Sequence, residues 1–190
     1  MDDTHNLLKS VQYIGISGGS CSGKTTISKL LQQELQKFEN IYVYVLNVDE
    51  FYWVRGDCNH QKDEKLNCEI YDIPSSINWN KLMRKIIQIS QNYNLIIVEG
   101  IMIFQNPELF NLMTEKYFLT ISYDTMKQRR FSRVYDDPDS PEYFDKYVWQ
   151  NYLLDKTTAL KNNISIIDCK YCSPEQIVQI LMKKIDNKID

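Results

Sequence analysis

The sequence lacks most of the features that mark specialised classes of protein. Its 22 Lys and Arg are outnumbered by 25 Asp and Glu, for a net charge of -3 and a pI near 5.5. That balance leaves no basic footprint for non-specific nucleic-acid binding, so no nucleic-acid partner is expected. No apolar run approaches the roughly 20 residues that span a bilayer. The stretch Leu95-Ile-Ile-Val98 is far too short, and no membrane partner is expected. The first residues, MDDTHNLLKSVQ, hold no basic segment followed by an apolar one, and the expected location is cytoplasmic. Five scattered cysteines, an odd number, argue for free thiols over a disulfide framework. Cys169-Lys-Tyr-Cys172 lacks the second close pair of a zinc site, and only His5 and His60 could supplement it. Repeats, low-complexity tracts and Gly/Ser linkers are also missing. With 43% hydrophobic and 25% charged residues, the 190-residue chain reads as one globular domain, 1–190.

What is present is an alternation of β-type and helical runs. Tyr13–Ser17, Ile41–Val48, Asn94–Gly100, Lys116–Ser122 and Ile164–Asp168 are short, β-branched and aromatic. Helix-period segments lie between and after them: Lys24–Phe38, Trp79–Ser90, Asp124–Val134, a segment opened by Ser140-Pro141-Glu142, and Ser173–Ile185. Ser-Pro-Glu at both late starts reads as an N-cap with proline in the first helical position. Apolar strands separated by helices predict an α/β fold. Its core is a doubly wound, five-stranded parallel sheet with helices on both faces. In such sheets the ligand crevice lies beyond the carboxyl ends of the strands.

Gly18-x-x-x-x-Gly23-Lys24-Thr25 follows the first strand and opens the first helix, the context that a P-loop requires. Glycines let backbone amides turn towards an anion, the helix N-terminus adds its positive end, and Lys24 reaches the β- and γ-phosphates. The Thr25 hydroxyl is expected on Mg²⁺. The next two strand ends carry acid: Asp49-Glu50 after the second run, and Glu99 after the third. A carboxylate there can take a proton from an attacking hydroxyl or hold a metal, directly or through water. Lys127, Arg129, Arg130 and Arg133 form a basic cluster on a predicted helix. Arg129 and Arg133 share a face while Arg130 points elsewhere. Followed by the turn-rich DDPDSPE, this cluster reads as a closing lid over about 129–142. Asn187-Lys188-Ile189-Asp190 spells a guanine-reading N-K-x-D, but it follows a helical run, and no D-x-x-G occurs between it and the P-loop.

Five stretches, GISGGSCSGKTT, VDEFYW, YDIPSSINW, LIIVEGIMIF and YFLTISYDTMKQRRFSRVYDDPDSPEYFDKYVWQNYL, together resemble the nicotinamide riboside kinase family. This is a branch of the uridine kinase-like P-loop kinases, and the likeness runs from about Tyr13 to Asp168. It implies a P-loop NTPase fold and ATP- and Mg²⁺-dependent phosphorylation of a small nucleoside. Gly18, Gly19, Ser20, Cys21, Ser22, Gly23, Lys24, Thr25 and Thr26 would hold ATP. Asp49 would be the base for the ribose 5'-hydroxyl and would touch the magnesium shell, with Glu99 supporting the metal through water. Phe51 and Tyr52 would continue the substrate side. Asp72 would meet the ribose hydroxyls, and Tyr71 and Tyr135 would face the base from opposite sides. Arg129 would contact ATP, Arg130 the substrate and Arg133 phosphate. Asp136 and Asp139 would lie at the substrate mouth, and Lys170, Tyr171 and Cys172 on the adenine side. The chain departs from the family at Glu50, where an aspartate is common, and at Asp137, where a proline is. The expected reaction makes nicotinamide mononucleotide, with nicotinic acid riboside as a second acceptor. The alternatives are a uridine/cytidine kinase and a non-catalytic P-loop regulatory protein.

Overall fold

The computed structural model describes residues 8, 11–133 and 138–189. In chain order the strands are β1 (Gln12–Gly18), β2 (Val43–Asn47), β3 (Gln61–Asp63), β4 (Cys68–Ile70), β5 (Leu95–Glu99), β6 (Glu115–Thr120) and β7 (Ser165–Asp168). The helices are α1 (Lys24–Leu35), α2 (Trp79–Ile89), α3 (Pro107–Leu112), α4 (Tyr123–Phe131), α5 (Pro141–Tyr143), α6 (Trp149–Lys161) and α7 (Pro174–Ile189). A π-helical turn, Phe144–Val148, joins α5 to α6.

Five strands form one parallel sheet in the order β2-β5-β1-β6-β7. The chain lays β2 and β5 on one side of β1, then β6 and β7 on the other, so the winding reverses at β1 and a crevice opens at its carboxyl end. Alternation along the strands divides the core in two. Ile14, Ile16, Leu95, Ile97, Tyr117 and Leu119 face α1 and α7, against Ile27, Leu31, Val178 and Leu181. Tyr13, Ile96, Val98 and Phe118 face the opposite layer with Leu82, Ile86, Met126 and Tyr152. Each such aliphatic side chain contributes roughly 1.5–3 kcal/mol of transfer free energy. All five expected strands are therefore present, and so is the doubly wound arrangement.

Both Ser-Pro-Glu starts cap helices. The Ser140 side chain accepts the Tyr143 amide at 3.1 Å. Ser173 accepts the Gln176 amide at 3.3 Å, and the Gln176 side chain accepts the Ser173 amide in return at 2.8 Å. The hairpin β3-β4 was not foreseen. Its first strand, Gln61-Lys62-Asp63, buries only Asp63, so it carries no alternating apolar signal. Asp63 instead shapes the turn by accepting the amides of Lys65 at 2.9 Å and Leu66 at 3.1 Å. It also ties the hairpin to the π-turn through Lys146 at 2.5 Å and Tyr147 at 2.8 Å.

Gly18 ends β1 with φ 144°, and a Cβ there would sit 2.3 Å from the Leu119 carbonyl oxygen. Neither the backbone angle nor the neighbouring strand can yield cheaply. Gly18→Ala is expected to cost about 2 kcal/mol or more, read as a lower urea midpoint with an unchanged slope. An unaltered midpoint would refute this account of the turn.

Candidate active site

The phosphate loop leaves β1 at Gly18 and reaches α1 through two left-handed residues, Cys21 at φ 59° and Gly23 at φ 94°. The N-cap Gly23 offers no side-chain cap, and the first turn of α1 holds no acid. Its leading amides are therefore left for an external anion. The Lys24 ammonium curls back over the loop, donating to the carbonyls of Gly18 at 3.2 Å and Gly19 at 2.9 Å. Burial lowers the pKa of Lys24, and the carboxylates of Asp49 and Glu99 oppose that fall.

Those carboxylates come from neighbouring strands. Glu99 is the last residue of β5 and stands in register with Asn47 of β2 and Ile16 of β1. Asp49 follows on a short 3₁₀ turn, Val48–Phe51, where the Asn47 side chain accepts the Asp49 amide at 2.8 Å. Glu99 is 2% exposed, and its carboxylate accepts the Thr25 hydroxyl at 2.8 Å. Burial raises its pKa; the Thr25 hydrogen bond and the Lys24 charge counter that rise, and Asp49 adds to it. Loop and strand ends converge on one cavity of about 280 Å³, lined by Ser20, Cys21, Gly23, Lys24, Thr25 and Thr26 beside Asp49, Tyr52, Glu99 and Ile101.

Its far wall is formed by Tyr71, Asp72, Arg130 and Arg133. Asp72 is buried at 4% exposure. Its two oxygens accept the Arg130 guanidinium at 3.2 and 3.0 Å, and one also accepts the Tyr143 hydroxyl at 3.1 Å. Arg130 also donates to Asp139. Burial disfavours the Arg130 charge, but Asp72 and Asp139 outweigh it, and the pKa rises. The adjacent Arg129 turns to the phosphate loop and donates to the Cys21 carbonyl at 3.1 Å. Helical spacing thus points the two arginines at two different targets. The Tyr71 ring packs on His60, 4.5 Å between centroids, and on Tyr52 at 6.2 Å. Its hydroxyl donates to Glu69 at 2.8 Å.

Two expected groups lie elsewhere. Phe51, expected on the substrate side, is instead 4% exposed within the core, with the Lys81 ammonium 5.9 Å from its ring. The three-residue period of the 3₁₀ turn puts Phe51 on the buried face with Val48, while Tyr52, in extended backbone, reaches the cavity. Lys170, Tyr171 and Cys172 follow β7 outside the cavity lining; Tyr171 is 75% exposed, with the Lys170 ammonium 4.9 Å from its ring. Gly18 and Gly19 line a narrow space behind the loop, and Ser22 is buried at 3% exposure. Asp139 lines a neighbouring cavity of about 360 Å³, shared with Tyr71 and Glu69. Tyr135, Asp136, Asp137 and Asp190 lie outside the described residues. Tyr143, which ties Asp72 to the Tyr71 amide at 2.9 Å, was missed, although the Ser140 cap already placed it in a first helical turn. Glu69 was missed because it belongs to the unforeseen hairpin, and His60 because it immediately precedes it.

A family model described as an AAA domain matches residues 14–150. Nicotinamide riboside kinase 1 of Homo sapiens is 34% identical over 155 residues, covering 74% of this chain and 74% of that protein. The uridine kinase of Schizosaccharomyces pombe is 27% identical over 151 residues, 66% of this chain and 32% of that protein. Among solved structures, a possible uridine kinase from Bacillus stearothermophilus superposes with a TM-score of 0.58 at 18% identity, over 88% of this chain and 98% of that one.

The raised pKa of Glu99 has a measurable consequence. From its ordinary 4.5 upwards, the folded protein holds this proton more tightly than the unfolded chain, so its contribution to stability falls as pH rises through the folded value. Glu99→Gln, in chelator and without nucleotide, should match the wild-type melting temperature near pH 4.5. It should exceed that temperature by a few degrees at about pH 8. A wild type that melts higher than the variant at the upper pH would show that Thr25 and Lys24 more than offset burial.

Proposed function

The chain belongs to the nicotinamide riboside kinase family, and from that membership we propose that it phosphorylates nicotinamide riboside. The γ-phosphoryl group of ATP goes to the ribose 5'-hydroxyl, giving nicotinamide mononucleotide and ADP, with nicotinic acid riboside as a second acceptor. The observation that carries this reading is the convergence of Lys24 and Asp49 on one cavity, with Asp72 and Arg130 on its opposite wall. We read the whole chain as one kinase domain with a lid over about 129–142. We place it in the cytoplasm, where its five free cysteines stay reduced.

In the proposed reaction, loop amides and Lys24 hold the triphosphate, while Arg129, anchored on the Cys21 carbonyl, and Arg133 stand on its other side. The 5'-oxygen forms its bond to the γ-phosphorus as the bond to the β,γ-bridging oxygen breaks in line. Asp49 takes the hydroxyl proton. The lid arginines neutralise charge spread over the equatorial oxygens.

Thr25, Asp49 and Glu99 form an all-oxygen donor set. This suits Mg²⁺, which takes one or two carboxylates and completes its shell with substrate phosphates and water. When bound, Mg²⁺ would screen the triphosphate charge and orient the γ-group.

The acceptor's pyridinium suits this mouth better than a neutral base does. A cation over the Tyr71 face gains roughly 0.5–2 kcal/mol, which uracil does not. Asp49→Asn should still bind ATP while turnover falls at least about a hundredfold; near-normal turnover would remove Asp49 from its role. The reading as a whole is tested with MgATP and a panel of nicotinamide riboside, nicotinic acid riboside, uridine and cytidine, with products identified by mass. Nicotinamide mononucleotide should dominate. A preference for the pyrimidine nucleosides would make the protein a uridine/cytidine kinase, and ATP binding without any nucleoside-dependent ADP would make it a regulatory protein.

A further inference from the structure

Asp155 is a carboxylate where a hydrophobic side chain would be ordinary. With Tyr152 and Ala159 it forms the buried stripe of α6, and it is 2% exposed. Burying an anion there costs stability unless it is hydrogen-bonded. Burial raises its pKa, and the hydrogen bonds from Ser17 and Met102, with the Lys24 charge, work against that rise.

A single oxygen, Oδ2, accepts both the Ser17 hydroxyl at 3.0 Å and the Met102 amide at 3.1 Å. Ser17 is the residue of β1 immediately before the phosphate loop. Met102 closes the turn that follows Glu99, and it does so with a left-handed backbone at φ 61°, unfavourable for a side chain of this kind without outside support. The space shared by Asp155, Met102, Gly18 and Gly19 measures only about 10 Å³, so these groups pack closely behind the loop.

We propose that Asp155 is a positioning residue that locks the start of the phosphate loop to the turn after Glu99, so that Lys24, Thr25 and Glu99 meet the triphosphate in one fixed geometry. Because one oxygen serves both donors, displacing either turn disturbs the other. Asp155 acts through Ser17 and Met102, behind the loop. The proposal rests on the kinase reading above, and it is tested in part without any nucleoside.

The experiment is calorimetric titration with MgATP alone, followed by kinetics on the preferred nucleoside, well below each variant's melting temperature. Asp155→Ala should weaken MgATP binding and lower kcat by about tenfold or more, the scale of a lost hydrogen bond to a charged group. The nucleoside KM should stay within about twofold, since no ribose contact is touched. Asp155→Asn keeps an oxygen for both donors and should remain within about threefold of wild type. Ser17→Ala, which preserves the charge, should give a milder defect confined to MgATP even if Asp155→Ala does not fold. In combination, Ser17→Ala should add nothing to a folded Asp155→Ala. The proposal is overturned if Ser17→Ala and Asp155→Ala bind MgATP as wild type does, if MgATP and nucleoside affinities fall alike, or if Asp155→Asn is as impaired as Asp155→Ala. A wild type that binds MgATP but phosphorylates no nucleoside would sink the kinase reading alone, because the titrations still decide the role of Asp155.

Discussion

An ammonium held inside the carboxyl end of a parallel sheet is the constraint around which the site is organised. Burial works against the Lys24 charge, as it works against the charge of Glu99. The Lys24 charge is tolerated because Asp49 and Glu99 stand within reach, and that of Glu99 because Lys24 and the Thr25 hydroxyl work against both burial and the like charge of Asp49. The P-loop supplies the cation and the two adjacent strand ends supply the anions, so the balance exists only when β1, β2 and β5 are in register. Asn47 and Glu99 are directly paired in that register. A slip of one residue in either strand would turn that strand's side chain to the other face of the sheet.

A second charged system closes the opposite wall. Arg130 joins Asp72 to Asp139, and Tyr143 holds both Asp72 and the backbone amide of Tyr71. With Asp72 and Arg130 both largely buried, removing one partner would strand charge in a poorly solvated place. These residues come from the segment after the hairpin, from α4 and from the stretch 139–143 that leads into and forms α5. The far wall is therefore assembled from three separate parts of the chain, whereas the phosphate loop is one continuous turn. Arg129 and Arg130 link the two walls, one reaching the Cys21 carbonyl and the other Asp72.

How much could be read in the residues follows from how local each feature is. The P-loop was legible because its spacing, its glycines and the flanking strand and helix are all contiguous. Asp49 and Glu99 were legible because a charge after a mostly apolar strand stands out. The helix caps at Ser140 and Ser173 were visible because Ser-Pro-Glu is a contiguous signature. The β3-β4 hairpin was not, since it is held by Asp63 hydrogen bonds and not by apolar alternation. Phe51 was misplaced because a short 3₁₀ turn decides which of two adjacent aromatics faces inward.

By itself, then, the sequence determined the doubly wound α/β fold, the anion-binding turn and the acids that end its neighbouring strands. Periodicity and turn chemistry act over a few residues and leave their mark in order along the chain. Only the tertiary structure decided which carboxylates are bound internally, that Arg130 spans Asp72 and Asp139, and that Asp155 reaches Ser17 across 138 positions. Such contacts depend on how separate elements pack, and a helical acid among Tyr152, Leu153 and Leu154 is indistinguishable from a solvated one until the face it shares with Ala159 is known to be buried.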